Sequence, residues 1–451
     1  MFSLCCRVKI GFAVLLVCGI GAIGQLVGSS VEINLIATAD LHGRTEQIRY
    51  AIDPLVRQMR KSDPDTVYID AGDTIQGSYA LLKSRGSNIM KLLGSTGCDI
   101  WVPGNHELEY GMTAFVSAVR EFPKAALACN ARIAGLENKL QDYIILERKG
   151  VKIAFIGMVL KDMELGFPIP AGSFKNLPGA AALRSAVNRA KRDGAQIFVL
   201  VRHCGVYGSH ESLADLLHNV PEIDLVIGAH THQTDPGRRI RKAFYVQPGE
   251  RGRYAVICQL VYDKKLRRLQ NIRSRIKALD IFPQEDAPET FEVIDSFAGK
   301  DPRFIPEKIR RFANSDLALY AVSDRAGLRK LLSDPAATLG DAYNVFGYFD
   351  GIVAVSVTPR EAETILKEYS KFARRRKQWL LTDGFALKRG KAVFENSKEK
   401  YLLAMTAYAA AGAGGNLPES RRILLDRLDP AAAEKSPALL EILIDKCNSK
   451  R

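Results

Sequence analysis

Through the first 260 positions, short apolar runs that end on glycine, aspartate or histidine alternate with amphipathic stretches. Val31 to Ala39 is one such run and ends at Asp40-Leu41-His42-Gly43. Thr66 to Ala71 ends at Gly72-Asp73-Thr74, and Asp99 to Pro103 ends at Gly104-Asn105-His106-Glu107. Ile197 to Val201 runs into Arg202-His203-Cys204-Gly205, and Ile223 to Ile227 into Gly228-Ala229-His230-Thr231-His232. Continuous apolar runs bounded this way predict buried strands. Between them, Glu46 to Arg60, Leu81 to Leu93, a segment from Met112, Ala180 to Arg192 and Leu213 to Leu217 carry helical spacing. Leu127 to Asn130 begins another strand. Tyr143 to Leu146 and Val151 to Met158 predict a hairpin turned at Lys149-Gly150. Ile223 to Ile227 reads as the last strong strand before Tyr254 to Tyr262, which closes the region as a hairpin-like edge with Lys264 to Arg268. Strands alternating with helices predict an α/β layered domain whose strand-end loops converge on one site.

The pattern changes after residue 279. Residues 280–302 hold Pro283, Pro288 and Pro302 among several acids and read as a linker. Beyond it, Leu317 to Val322 and Gly351 to Val357 predict strands. Thr358-Pro359-Arg360-Glu361 predicts a helix start, with threonine as cap, proline in the first turn and glutamate at capping-box spacing. A chain of 451 residues makes two domains the natural division.

Composition adds three points. The 47% hydrophobic and 25% charged content is that of a globular protein, with no internal repeat at solenoid periods. Arg7 and Lys9 precede an apolar run from Ile10 to Val17 that continues in small residues, so residues 1–30 read as a secretory signal peptide or, failing cleavage, an N-terminal membrane anchor. An exported protein, periplasmic or extracellular, is the expectation. Residues 1–30 carry two cations and no anion, so the +14 formal charge falls to +12 without them. A basic surface favours small anionic ligands such as phosphate esters. No basic-aromatic recognition element points to nucleic acid, and Arg374-Arg375-Arg376-Lys377 reads as a solvated helix face. Of the eight cysteines, five would remain after cleavage (Cys98, Cys129, Cys204, Cys258 and Cys447), an odd number without a C-x-x-C pair from which no disulfide framework can be read.

The candidate chemistry lies in the strand-end loops. Aspartate, asparagine and histidine are oxygen and nitrogen donors suited to divalent transition metals. Each has an ordinary role when taken singly: Asp40 and Asp73 as helix caps, His203 as a structural histidine. His210 and His218 are assigned to solvent or ordinary hydrogen bonding. Of the seven histidines, however, five fall in the loops that close apolar strands, and H-x-H on an extended loop turns both rings to one side.

The ordered set D-L-H-G, G-D-T, G-N-H-E, H-C-G and G-A-H-T-H resembles the calcineurin-like metallophosphoesterases, and among them the 5′-nucleotidase branch, over residues 31–265. The resemblance implies a four-layer α/β/β/α catalytic domain at 31–279, the linker at 280–302, and a smaller α+β substrate-binding domain at 303–451. It implies two divalent ions (zinc, manganese or iron), one held by Asp40, His42 and His232, the other by Asn105, His203 and His230, with Asp73 bridging. Two such ions clamp an ester oxygen and activate water. His106 would contact the phosphoryl group and assist the leaving group, with Asn105 also facing substrate. The family usually places an aspartate three residues after this histidine; here Glu109 stands there and takes the orienting role with a longer side chain. In the second domain, Arg329 matches the family's loop arginine, and Tyr348 and Tyr408 match its two base-stacking aromatics. Asp324 replaces a usual asparagine, Phe349 and Asp350 replace residues that are often asparagine, and the loop from Tyr408 to Asn416 is longer than usual. The implied activity is hydrolysis of phosphate monoesters, nucleoside 5′-monophosphates first. Alternatives are cyclic nucleotides, nucleotide sugars or another small anionic ester, and a nucleotide-binding protein without turnover.

Overall fold

A computed structural model describes residues 30–167, 169–206, 211–282, 297–346, 350–413 and 415–444. Residues 1–29 of the expected signal segment at 1–30, most of the expected linker (283–296), His210, Tyr348, Phe349 and Cys447 lie outside the described residues. Among the described residues, no helix is long and apolar enough to cross a membrane.

Two sheets form the larger body. The seven-stranded sheet runs in the order Arg268–Ala278, Tyr254–Asp263, Ser30–Thr38, Val67–Asp70, Ile100–Trp101, Ala126–Leu127, Leu140–Gln141. The six-stranded sheet runs Thr234–Ile240, Ala243–Pro248, Leu225–Ile227, Ile197–Arg202, Val151–Met158, Tyr143–Arg148. Strand alternation explains how the sheets stack. Ile153, Phe155, Val199 and Val201 join Leu35, Val67 and Ile69 in one core. The intervening Ala154, Ile156, Phe198 and Leu200 pack under the helices Gly179–Arg192 and Leu213–Asn219 through Leu183, Val187, Leu213 and Leu216. The helices Asp53–Ser62, Ser87–Ser95 and Gly111–Glu121 send Val56, Ile89, Leu93, Phe115 and Val119 into the core shared with the seven-stranded sheet. The layers are helix, sheet, sheet, helix. Ser30–Thr38, Val67–Asp70 and Ile100–Trp101 pair in parallel, as do Val151–Met158, Ile197–Arg202 and Leu225–Ile227. Their carboxyl ends therefore emerge on the same edge of each sheet.

The smaller body is α+β. Its four-stranded sheet has the order Ile352–Val357, Tyr401–Thr406, Leu317–Val322, Trp379–Asp383. The helix Pro359–Arg375 buries Ile365, Leu366 and Tyr369 against the same core as Val355 and Leu403. Thr358 accepts from the Glu361 amide while Glu361 accepts from Thr358, so the capping box forms as expected.

Three elements differ from the sequence pattern. The helical stretch at 81–93 is two helices, Tyr79–Ser84 and Ser87–Ser95, split by left-handed backbone at Arg85 and Gly86. A Cβ on Gly86 would lie 2.6 Å from Ile75, so tight packing forces the break that periodicity does not show. The stretch from Glu46 contains a π-helical turn at Ile48–Ile52. Two strands, Thr234–Ile240 and Ala243–Pro248, follow the run expected to be last. The first carries Pro236, Gly237 and two arginines with a register shift at 235–238, which is edge-strand composition and hides its period.

Candidate metal centre and substrate cleft

Each candidate ligand sits just beyond a parallel strand, where the backbone must leave the sheet. Asp40, His42, Asp73, His230 and His232 all adopt left-handed backbone, with φ of 52°, 45°, 55°, 71° and 58°. Such conformations cost non-glycine residues on the order of 1 kcal/mol or more and cluster at functional sites. Loop-to-loop hydrogen bonds hold the strain: Asp40 N donates to Gly72 O at 2.8 Å, and His42 N to Asp73 O at 2.9 Å. His230 N donates to the Asp40 carboxylate at 3.1 Å, tying the two sheets together at the site. Gly104 allows the closest approach, since a Cβ there would lie 2.2 Å from Asp73 Oδ1 and 2.6 Å from the His203 ring.

The side chains converge into two adjoining clusters. Asp40, His42 and His232 present ligand atoms within 4.8 Å of one another, and so do Asp73, His203 and His230. His203 Nε2 lies 3.1 Å from Asp73 Oδ2 and 4.0 Å from Asp40 Oδ1, which makes the clusters neighbours. His42 Nε2 faces His232 Nε2 at 3.0 Å. Two atoms test whether this donor set suits cations. Asn105 Oδ1 is buried without a hydrogen-bond partner, and His203 Nε2 is buried facing the Asp73 carboxylate, an arrangement costly in a plain core and natural for ligands of an ion. Burial holds His42 at about 3, and burial with the nearby His203 holds His230 at about 4, so both rings keep their lone pairs at neutral pH. Burial disfavours charge on His203 as well, but the Asp73 and Asp40 carboxylates override it and raise the ring to about 10.

The ligands are held by residues to which the sequence assigned no role. Glu107 is fully buried and accepts backbone N–H groups from Asp73 (2.9 Å), Thr74 (2.7 Å), Ile75 (3.2 Å) and Gly104 (2.5 Å). It splices the Asp73 loop to the Asn105 loop. His203 Nδ1 donates to Ala71 O at 2.7 Å, and His42 Nδ1 pairs with Gln76 Oε1 at 3.2 Å. A buried glutamate inside a known motif is the one signal that would have found Glu107; a backbone carbonyl leaves none.

His106 stands beside the clusters. Its backbone N–H donates to Asp73 Oδ1 at 2.8 Å, and its Nδ1 pairs with Glu109 Oε2 at 2.7 Å. The extra methylene of Glu109 therefore still reaches the ring. Burial would lower the imidazole, yet Asp73 and Glu109 raise it to about 9.

His106, Asn105, Glu109 and His230 form one wall of a cleft of about 840 Å³, and the smaller body forms the other through Tyr320, Phe346, Phe372, Arg376 and Tyr408. Residues 33–234 match the sequence profile of the calcineurin-like phosphoesterases. Those residues form a calcineurin-like phosphoesterase domain. The phosphoesterase is 25% identical over 257 residues to the 2′,3′-cyclic-nucleotide 2′-phosphodiesterase/3′-nucleotidase of Haemophilus influenzae, covering 48% of this chain and 38% of that one. It is 23% identical over 225 residues to the 5′-nucleotidase of Rattus norvegicus, covering 45% and 38%. The chain thus spans well under half the length of these curated relatives. In fold it is similar to the 5′-nucleotidase precursor of Thermus thermophilus, with a TM-score of 0.64 at 15% identity, covering 92% of this chain and 96% of that one. That likeness takes in both bodies of the phosphoesterase.

The second wall departs from the sequence expectation. Arg329 is exposed, lies over the Trp379 ring at 4.8 Å, and is not among the residues lining the cleft. Tyr408 does line it, 41% exposed, and its ring meets Phe167 of the larger body at 6.4 Å and 58°. Asp324 caps the helix Arg325–Ser333 by accepting from Gly327 N at 2.8 Å, which accounts for an aspartate there. Asp350 lines the cleft, accepts from Tyr408 N at 2.9 Å, and is raised by burial to about 7.

Proposed function

We propose that the phosphoesterase is an exported dinuclear-metal hydrolase that cleaves phosphate monoesters, nucleoside 5′-monophosphates first among them. One observation carries the reading: two adjoining donor clusters, with the orphaned Asn105 oxygen beside them, open next to His106 into a cleft between two bodies. Asp40, His42 and His232 would hold one ion, Asn105, His203 and His230 the other, and Asp73 would bridge them. When bound, the ions would polarise the ester and acidify water between them. His106 is held by Glu109 at the edge of that centre, placed to stabilise charge on the phosphoryl group and to pass a proton to the leaving oxygen. The apolar and aromatic second wall would receive the leaving group and exclude water.

A second reading keeps this chemistry and changes the leaving group. Arg329 stands outside the cleft and Asp324 is taken up in capping the helix Arg325–Ser333, so two positions of the expected substrate loop do not line it. The Haemophilus influenzae relative, named for a 2′,3′-cyclic nucleotide and a 3′-nucleotide, supports testing those esters. A panel of 5′-AMP, 3′-AMP, 2′,3′-cyclic AMP and UDP-glucose separates the readings by kcat/KM. Preference for 5′-AMP supports the first, and preference for any other ester supports the second.

A further inference from the structure

Two ligand histidines, His203 and His42, share one arrangement at Nδ1, and a third, His232, differs. His203 and His42 hand Nδ1 to neutral, buried acceptors, Ala71 O and Gln76 Oε1. His232 instead places Nδ1 3.0 Å from Glu250 Oε2, while its Nε2 points inward, 3.6 Å from Asp40 Oδ1. A carboxylate at Nδ1 fixes the proton there, leaves the Nε2 lone pair facing the cluster, and strengthens it as a donor. His232 is also the exposed member of its cluster, with its side chain 41% exposed, so water competes for its orientation.

The loop that carries Glu250 reaches a second ligand. Arg251 N donates to Asp40 O at 2.7 Å. Gly252 O accepts from Gln47 Nε2 at 2.8 Å, which anchors the loop to the helical layer. The guanidinium groups of Arg251 and Arg253 lie 3.6 and 3.8 Å from Glu250, too far for hydrogen bonds. His232 Nδ1, at 3.0 Å, is therefore closer to the Glu250 carboxylate than either guanidinium. None of these contacts is made to Asp73, His203 or His230; Glu107 supports Asp73 and Ala71 supports His203 from the core.

We propose that Glu250 is a positioning residue that sets ion affinity at the Asp40–His42–His232 cluster and leaves the Asp73–His203–His230 cluster unaffected. The proposal rests on the dinuclear reading above. The test is calorimetric titration of the chelator-stripped full chain with manganese, in wild type, Glu250→Gln and Glu250→Ala. Wild type should show two binding events; a single event would sink the dinuclear reading itself, before any variant is made. With two events present, Glu250→Ala should weaken one ion on the order of 10- to 100-fold and leave the other within about twofold of wild type. Glu250→Gln should fall between, because its amide oxygen still accepts from Nδ1. In a His230→Ala background the remaining ion should still respond to Glu250→Ala; in a His42→Ala background it should not. Two unchanged events, or equal weakening of both, would overturn the proposal. Thermal melts of the metal-free variants monitor folding, and Glu250→Gln carries the comparison if the alanine variant unfolds.

Discussion

At the scale of single residues, the centre depends on oxygen and nitrogen atoms held against their backbone preferences. Glu107 shows how. Four backbone N–H groups converge on one buried carboxylate, and an amide in its place would turn donors toward donors. Glu107→Gln should destabilise the fold by about 1–3 kcal/mol, read by denaturant unfolding of the metal-free protein, and should also weaken metal binding. His106 is different in kind, since it approaches the clusters without completing either. His106→Ala should keep the metal content and lower kcat by about 10²–10⁴, measured by metal analysis alongside turnover. A loss of metal in that variant would make His106 a ligand. The positions of Asp40, His42, Asp73, Asn105, His203, His230 and His232 were legible because each closes an apolar run. Their supports were not, because Glu107, Gln76 and Glu250 act through backbone amides and ring nitrogens that no spacing rule records.

At the scale of elements, local signals were readable where backbone chemistry dictates them and failed where packing does. The capping box at Thr358–Glu361 is a local device and formed as its sequence indicates. Thr358→Ala should cost about 1 kcal/mol in unfolding free energy. Its pH dependence follows from Glu361, which the Arg427 guanidinium and the Thr358 amide hold at about 2, below the ordinary 4.5. A depressed carboxylate stabilises fully above the unfolded value and loses its contribution as pH falls through the folded one. The helix contribution should therefore be present at pH 5 and decline between about 4.5 and about 2, and Glu361→Gln should flatten that part of the stability profile. By contrast, the break at Arg85-Gly86 answers to Ile75, and the strand Thr234–Ile240 exists by pairing with Ala243–Pro248. Neither leaves a periodic trace.

At the scale of the whole molecule, the order of strands brings loops distant in sequence to one edge, and the second body closes a cleft over them. The layered architecture could be read from alternating runs, while the second wall could not. Tyr408 matched a motif position and lines the cleft; Arg329 matched one too and sits on Trp379 instead. Their separation depends on how the helix Arg325–Ser333 packs, which single-residue matching ignores. If Tyr408 contacts the leaving group, Tyr408→Ala should raise KM for 5′-AMP about tenfold, within the range of lost base stacking, with a smaller change in kcat. An unchanged KM would move the leaving group elsewhere in the cleft.

The proposed function requires Asp73 to bridge two ions, so the most direct measurement is hydrolysis of 5′-AMP by the metal-loaded protein against its Asp73→Asn variant, with bound metal quantified in both. The expected result is manganese- or zinc-dependent release of phosphate by the wild type, abolished by chelation and by Asp73→Asn. Undiminished turnover in the Asp73→Asn variant, or turnover that survives complete removal of metal, would contradict it.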